Sequence, residues 1–254
     1  MDAILLGAGF ATRMYPLTRN FPKPLLPVAD KPVIDYLMDQ LIALPGLAAI
    51  HLVTNERYHA LFEKWRRTWS AGLRQKQTVF SLYNDGATMN TNRLGAVADL
   101  RLAYQCIARP AKTMVAATDI IFRFPILPLW RQFAESKHHH VIALAEKDPA
   151  RLRRTGVLAF GQKNRVLSVD EKPWVPLSSW GCPALYFLQP SAQSRLEEYL
   201  HISDNHDELG RFIDFLCRKE KVYAFKLNSS RMDIGNLDSY RAADEILKRE
   251  PIYA

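Results

Sequence analysis

Two rhythms of apolar residues alternate along the first 150 positions. Ala3–Leu6 is a short apolar run, the pattern of a strand buried on both faces. Val33, Tyr36, Leu37, Leu41 and Leu44 then recur at helical spacing, and Pro45-Gly46 stops that helix. Ile50, Leu52 and Val53 predict the next strand, and Leu61, Phe62, Trp65 and Trp69 the next helical stripe. Residues 79–83 read as a strand, 84–93 as a polar loop, and 94–108 as a strong helix. A buried strand over 113–119 ends in Asp119, and another runs over 141–147. Such β-then-α alternation predicts an α/β fold, a Rossmann-like and mostly parallel sheet flanked by helices.

Beyond Lys147 the texture changes. Short β-like pieces appear at 157–160, 166–169 and 184–188, followed by helices near 195–200 and 211–217, a strand at 222–227 and a closing helix over about 236–248. No Ser-, Gly- or Pro-rich linker separates the two textures, so residues 1–254 read as one domain with a smaller β-rich part. His138, His139 and His140 invite a metal reading, but consecutive side chains of a strand point to opposite faces. A solvated strand entrance is the expectation for them.

The segment "LLGAGFATRMYPLTRNFPKPLLPV", residues 5–28, breaks both rhythms. Pro16, Pro22, Pro24 and Pro27 remove amide donors and fix φ, which excludes a regular helix or a central strand. Leu17, Leu25, Leu26 and Val28 nevertheless argue for order. A long ordered loop leaving a buried strand is usually functional. It holds Gly7 and Gly9, then Arg13, Arg19 and Lys23, and contains no acidic residue. A tight glycine turn beside stiffly held cations makes an anion cradle. The third glycine of a dinucleotide fold and the G-x-x-x-x-G-K-[ST] of a phosphate loop are both missing, which disfavours a Rossmann oxidoreductase and a P-loop ATPase.

Composition adds little except sign. Thirty-four Lys and Arg against 26 Asp and Glu give a formal charge of +8, suited to phosphate-rich partners. The basic residues are not interleaved with a nucleic-acid motif, so no nucleic-acid partner is expected. Cys106, Cys182 and Cys217 are odd in number and far apart, which predicts a reducing, cytoplasmic setting without disulfides. Neither a signal peptide nor a membrane-spanning run is expected.

The stretch "GAGFATRMYPLTRNFPKPLLPVADKPVIDY" resembles the opening motif of the nucleotidyltransferases that make nucleotide sugars, G-x-G-x-x-T-R-[LM]-x-P-L-T followed by P-K-[PA]-[LM] and a K-P helix entrance. The likeness continues in chain order through Asp119, Gly156, Glu171-Lys172-Pro173 and "MDIGNLDSYRAA". It is densest toward thymidylyl- and uridylyltransferases of sugar 1-phosphates. Three departures stand out: Ala11 where the family has Gly, Asn236 where it has Thr, and "WGCPALYFL" in place of the usual N-x-G strand, with Gly181 as the one matching position.

The resemblance implies a Mg²⁺-dependent transfer between an NTP (UTP, dTTP or CTP) and a sugar 1-phosphate or other phosphate-bearing acceptor. It implies nucleotide contacts from Leu6, Gly7, Ala8, Gly9 and Gly95, and charge stabilisation by Arg13 and Lys23. Asp119 and Asp233 would bind the metal, and Gly156, Glu171 and Lys172 the acceptor. Residues 1–147 would then form the nucleotide-binding part and 148–254 the acceptor-binding part. The altered acceptor strand keeps open a cytidylyltransferase acting on phosphocholine or an aminoalkylphosphonate. A non-catalytic regulatory subunit of the same fold is a third reading, opposed by the intact Arg13, Lys23, Asp119 and Asp233. No membrane partner is implied, and homo-oligomerisation is left open.

Overall fold

A computed structural model describes residues 1–250 and Ile252. The first half runs β1 (Asp2–Leu6), a two-residue pair β2 (Pro27–Val28) and β3 (Lys31–Pro32), α1 (Val33–Ile42), β4 (Ala49–Thr54), α2 (His59–Gln75), β5 (Val79–Asn84), α3 (Ala96–Cys106), β6 (Thr113–Ala117), β7 (Ile120–Phe122), α4 (Leu127–Glu135) and β8 (His139–Ala145). The second half runs α5 (Pro149–Leu152), β9 (Gly156–Phe160), β10 (Arg165–Glu171), β11 (Trp180–Cys182), β12 (Leu185–Leu188), α6 (Ala192–Ile202), α7 (Leu209–Lys219), β13 (Val222–Leu227), β14 (Arg231–Asp233) and α8 (Leu237–Arg249).

One sheet passes through both halves in the order β11-β9-β10-β13-β8-β12-β6-β1-β4-β5. Strands β6, β1, β4 and β5 are parallel neighbours, as the alternation predicted, and β8 and β13 run the same way. Strand β12 enters antiparallel between β6 and β8. At the far end β11 also pairs with β8, so β8, β11, β9, β10 and β13 close into a ring. The smaller β-rich part is therefore this sheet curled on itself rather than a separate layer.

Side-chain alternation along β1 shows why both faces need helices. Ala3 and Leu5 point into a core with Leu37 and Met38 of α1, Phe62 of α2 and Trp130 of α4. Ile4 points the other way, among Val97 of α3, Leu196 of α6 and Phe212 of α7. Each fully buried aliphatic side chain contributes about 1.5–3 kcal/mol. A third, smaller cluster joins Met14, Leu26 and Val28 of the cation loop to Ala243 and Leu247 of α8. Among the described residues no helix is long and apolar enough to cross a membrane.

Several elements depart from the sequence reading. Helix α4 escapes detection because Pro125 and Pro128 read as breakers, yet Pro128 stands in the first turn, where no amide donor is needed. Strands β7 and β14 are too short to show a period. The histidine run is not solvated: His139 is 1% and His140 8% exposed. The His140 ring stacks on Phe225 at 4.5 Å, and the His139 ring meets Glu220 at 3.0 Å.

Burial pushes the His140 imidazole down to about 4. A histidine with a depressed folded pKa supports the fold while neutral, above about pH 6.5. That support is lost as pH falls toward 4. The wild type is expected to lose about 1–2 kcal/mol more between pH 7 and pH 5 than His140→Phe, measured by urea unfolding at both pH values. Equal losses in the two proteins refute the assignment.

Candidate functional site

The carboxyl ends of β1, β4 and β6 meet at Gly7. Its amide donates to Val53 O at 2.8 Å. A Cβ there would stand 3.2 Å from Leu52 Cδ1, 3.3 Å from Thr118 Oγ1 and 3.3 Å from Val53 O, so glycine lets the chain pass between the strand ends. Leu6 closes β1, and Ala8 is buried with its carbonyl accepting from Asn55 Nδ2 at 2.8 Å. Gly9 is exposed and open on its side-chain face.

Ala11 stands in the left-handed region at φ 48°, ψ 43°, a conformation that glycine adopts at no steric cost. Its carbonyl accepts from Thr18 Oγ1 at 2.8 Å, which holds the turn. A left-handed alanine costs about 1–2 kcal/mol, and glycine returns part of that gain as chain entropy. Ala11→Gly is expected to stabilise the protein by about 0.5–1 kcal/mol, seen as a higher urea midpoint; a lower midpoint contradicts it.

The loop is fastened from outside. Tyr58 Oη donates to Thr18 O at 2.6 Å, Tyr240 Oη to Pro27 O at 2.6 Å, and the Ala29 amide to Asp244 Oδ1 at 2.8 Å. On this frame Arg13 is exposed, whereas Lys23 is 9% exposed and paired with Asp119.

Asp119 and Asp233 lie 114 residues apart in sequence and side by side in space. The β7–β14 ladder pairs Asp233 with Ile120, and the Ile234 amide donates to Asp119 O at 3.0 Å. Asp233 takes both its side-chain hydrogen bonds from Arg231 Nε, at 3.1 and 2.9 Å. Among the described residues no third His, Cys, Asp or Glu joins them as a ligand set. Two hard carboxylates suit Mg²⁺, which keeps several waters and takes its other oxygens from phosphates. A hollow of about 530 Å³, lined by Arg123, Ala145, Asn228, Ser229 and Ser230, opens at the loop leading into β14.

Glu171 and Lys172 end β10. The proline at 173 predicts an extended Lys172, but Lys172 stands in the left-handed region at φ 51°. Its amide is held by Thr155 O at 3.1 Å, which fixes the bend. The bend brings the two side chains of adjacent strand residues to one side: Lys172 Nζ lies 3.8 Å from Glu171 Oε1 and 2.8 Å from Glu208 Oε1. Glu208 also accepts from Arg211 Nε at 2.7 Å and from Asn205 Nδ2 at 3.2 Å. Those donors hold the Glu208 carboxyl at about 2 despite its partial burial. Burial raises the Glu171 carboxyl instead, Lys172 opposing. Gly156 faces it across β9, where a Cβ would stand 3.2 Å from Glu171 Oε2. A Cβ on Gly210, in the first turn of α7, would overlap that same oxygen.

Gly95 has φ 94°, and a Cβ there would lie 2.7 Å from His206 C. Close approach of the 206–207 backbone therefore explains this glycine. The structure thus gathers Gly7, Lys23, Asp119 and Asp233 at one end of the sheet and Gly156, Glu171 and Lys172 at the β9–β10 edge. Arg231 joins them: it binds Asp233 and passes 3.8 Å from the Cβ position of Gly181. Sequence reasoning missed Arg231, Glu208 and Arg211. A cation two residues before Asp233 was the available signal for the first; no local pattern marks the others.

A family model described as "Nucleotidyl transferase" matches residues 2–250. A glucose-1-phosphate thymidylyltransferase of Neisseria gonorrhoeae is 30% identical over 210 residues, covering 78% of this chain and 68% of that protein. One from Xanthomonas campestris is 30% identical over 235 residues, covering 82% and 72%. In structure, a UDP-glucose pyrophosphorylase complexed with UDP-glucose superposes with a TM-score of 0.79 at 18% identity, covering 98% of both chains. The UDP-glucose pyrophosphorylase from Acinetobacter baumannii gives 0.76 at 19% identity, covering 98% and 94%.

Proposed function

Because this chain belongs to the nucleotidyl transferase family, we propose that it joins an NTP and a sugar 1-phosphate to give an NDP-sugar and pyrophosphate. The observation that carries the reading is the meeting of Lys23, Asp119 and Asp233 beside the glycine loop, from three distant parts of the chain. In this reaction an oxygen of the acceptor phosphate forms a bond to the α-phosphorus, and the bond to the bridging oxygen breaks as pyrophosphate leaves. Both partners are anions, so catalysis is positioning and charge stabilisation.

Arg13 and Lys23 meet the charge on the triphosphate and the departing pyrophosphate. The backbone of Leu6–Gly9 lies where the phosphate chain can approach closely. Asp119 and Asp233 would hold Mg²⁺, which when bound neutralises phosphate oxygens. Lys23 and Arg231 hold those carboxylates in place. Lys172 grips the acceptor phosphate, Glu171 accepts from acceptor hydroxyls, and Glu208 orients Lys172.

The deciding measurement is pyrophosphate release with UTP, dTTP, CTP and ATP, each crossed with sugar 1-phosphates, phosphocholine and an aminoalkylphosphonate. A sugar 1-phosphate is expected to give the highest kcat/KM. Turnover restricted to CTP with phosphocholine or a phosphonate overturns the sugar assignment, and no release with any pair overturns the reaction.

A further inference from the structure

One side chain spans the two halves of the site. Lys23, Asp119 and Asp233 gather at one end of the sheet, and Gly156, Glu171 and Lys172 at the β9–β10 edge. Arg231 lies on β14 two residues before Asp233, so both side chains stand on one face of that strand. Its Nε donates to Asp233 Oδ2 at 2.9 Å. The other end of the guanidinium reaches β11, where Nη1 passes 3.8 Å from the Cβ position of Gly181. That same position lies 3.2 Å from Thr155 Cγ2. The Thr155 carbonyl holds the Lys172 amide, and Cys182, next to Gly181, pairs with Gly156.

The guanidinium uses only its Nε inside the protein. Neither Nη group has a hydrogen-bond partner among the described residues, although the side chain is only 15% exposed. Nη N–H groups held in one plane fit two oxygens of a phosphate. Room adjoins them. The hollow of about 530 Å³ is edged by Ser230, next to Arg231, and by Ala145, which pairs with Trp180 next to Gly181. Asn228 and Ser229 of its lining can hydrogen-bond a hydroxyl-bearing group.

We propose that Arg231 is a further catalytic residue, anchored through Nε on Asp233 and turning its Nη groups to the phosphate of the acceptor. A phosphate monoester carries close to two negative charges at neutral pH. Lys172 alone does not match them, because Lys172 and Arg211 are already balanced by Glu171 and Glu208. Arg231 is paired with one carboxylate, the half-exposed Asp233, and that carboxylate is one of the two proposed for Mg²⁺. Arg231 therefore holds the attacking phosphate beside the nucleotide end of the site, where the α-phosphorus must be met. Its guanidinium keeps its proton throughout, so its part is positioning and charge stabilisation.

This inference rests on the proposed reaction, and its test separates the two. With the NTP and acceptor that release most pyrophosphate, Arg231→Met is expected to raise acceptor KM about tenfold and to lower kcat about tenfold. NTP KM should stay within about threefold of wild type. Arg231→Lys, a point charge without the planar fork, should recover KM more than kcat, and it carries the test if the Met variant does not fold. If Arg231 serves Asp233 alone, the Mg²⁺ concentration for half-maximal activity rises while acceptor KM stays put; that result overturns the inference, as does a rise in NTP KM alone.

The second readout is calorimetric binding of glucose 1-phosphate to the full chain. Wild type is expected to bind it about tenfold more tightly than Arg231→Met, and glucose, which lacks the phosphate, should show no such difference. Equal affinities, or no binding by wild type, overturn the assignment. Because binding needs no turnover, a chain that releases pyrophosphate with no pair overturns the proposed reaction while the binding result still decides Arg231.

Discussion

The Lys23→Ala protein is expected to turn over about 10²-fold more slowly than wild type, or slower still, the scale of losing a group that meets transition-state charge. Lys23 sits between Pro22 and Pro24, in a short turn whose first φ is fixed, and is almost completely buried against Asp119. Such a cation is preorganised, so little motion is needed to place it on a phosphate. Arg13→Ala is expected to slow turnover comparably. The two should separate in stability. Arg13 is exposed, so its removal should leave the urea midpoint within about 0.5 kcal/mol of wild type. Loss of Lys23 strands Asp119 beside a buried gap and should cost about 1–3 kcal/mol. Near-normal kcat/KM in both folded variants refutes the anion cradle.

The second large effect concerns the carboxylate pair. Asp119→Asn and Asp233→Asn keep side-chain size while removing a charge, so each should raise the Mg²⁺ concentration for half-maximal activity by about tenfold or more. The neighbouring ion pairs predict different side effects. Asp119→Asn leaves buried Lys23 without its counter-charge and should also lower stability. Asp233→Asn leaves Arg231 beside an exposed amide, with little change in the urea midpoint expected. A Mg²⁺ titration unchanged in either variant removes that residue from the metal site.

The parallel half of the sheet was legible because its strands are apolar runs and its helices carry wide stripes. Strand β12 was seen as a strand but not as antiparallel, since the direction of a short apolar run leaves no trace in its composition. The glycine loop was legible because proline and glycine constrain φ locally, and the positive φ at Ala11 agrees with the family's preference for glycine there. The Glu208 clamp was not, because it depends on loop 203–208 meeting the end of β10, a purely tertiary event. The histidine run misled because Phe225 and Glu220, which cover it, come more than 80 residues later.

The fastening of the cation loop by α8 has a consequence in time. Met14, Leu26 and Val28 find part of their core only in Ile234, Ala243 and Leu247, and the partner carboxylate of Asp119 arrives on β14 immediately before that helix. Contacts of such long sequence separation form late, after much loop-closure entropy has been lost. During synthesis the parallel strands β1, β4, β5 and β6 can assemble while the reactive end is still incomplete. The second carboxylate and the last fastening of the loop then arrive together, when β14 and α8 dock onto an anion cradle that the first half of the chain has already laid down.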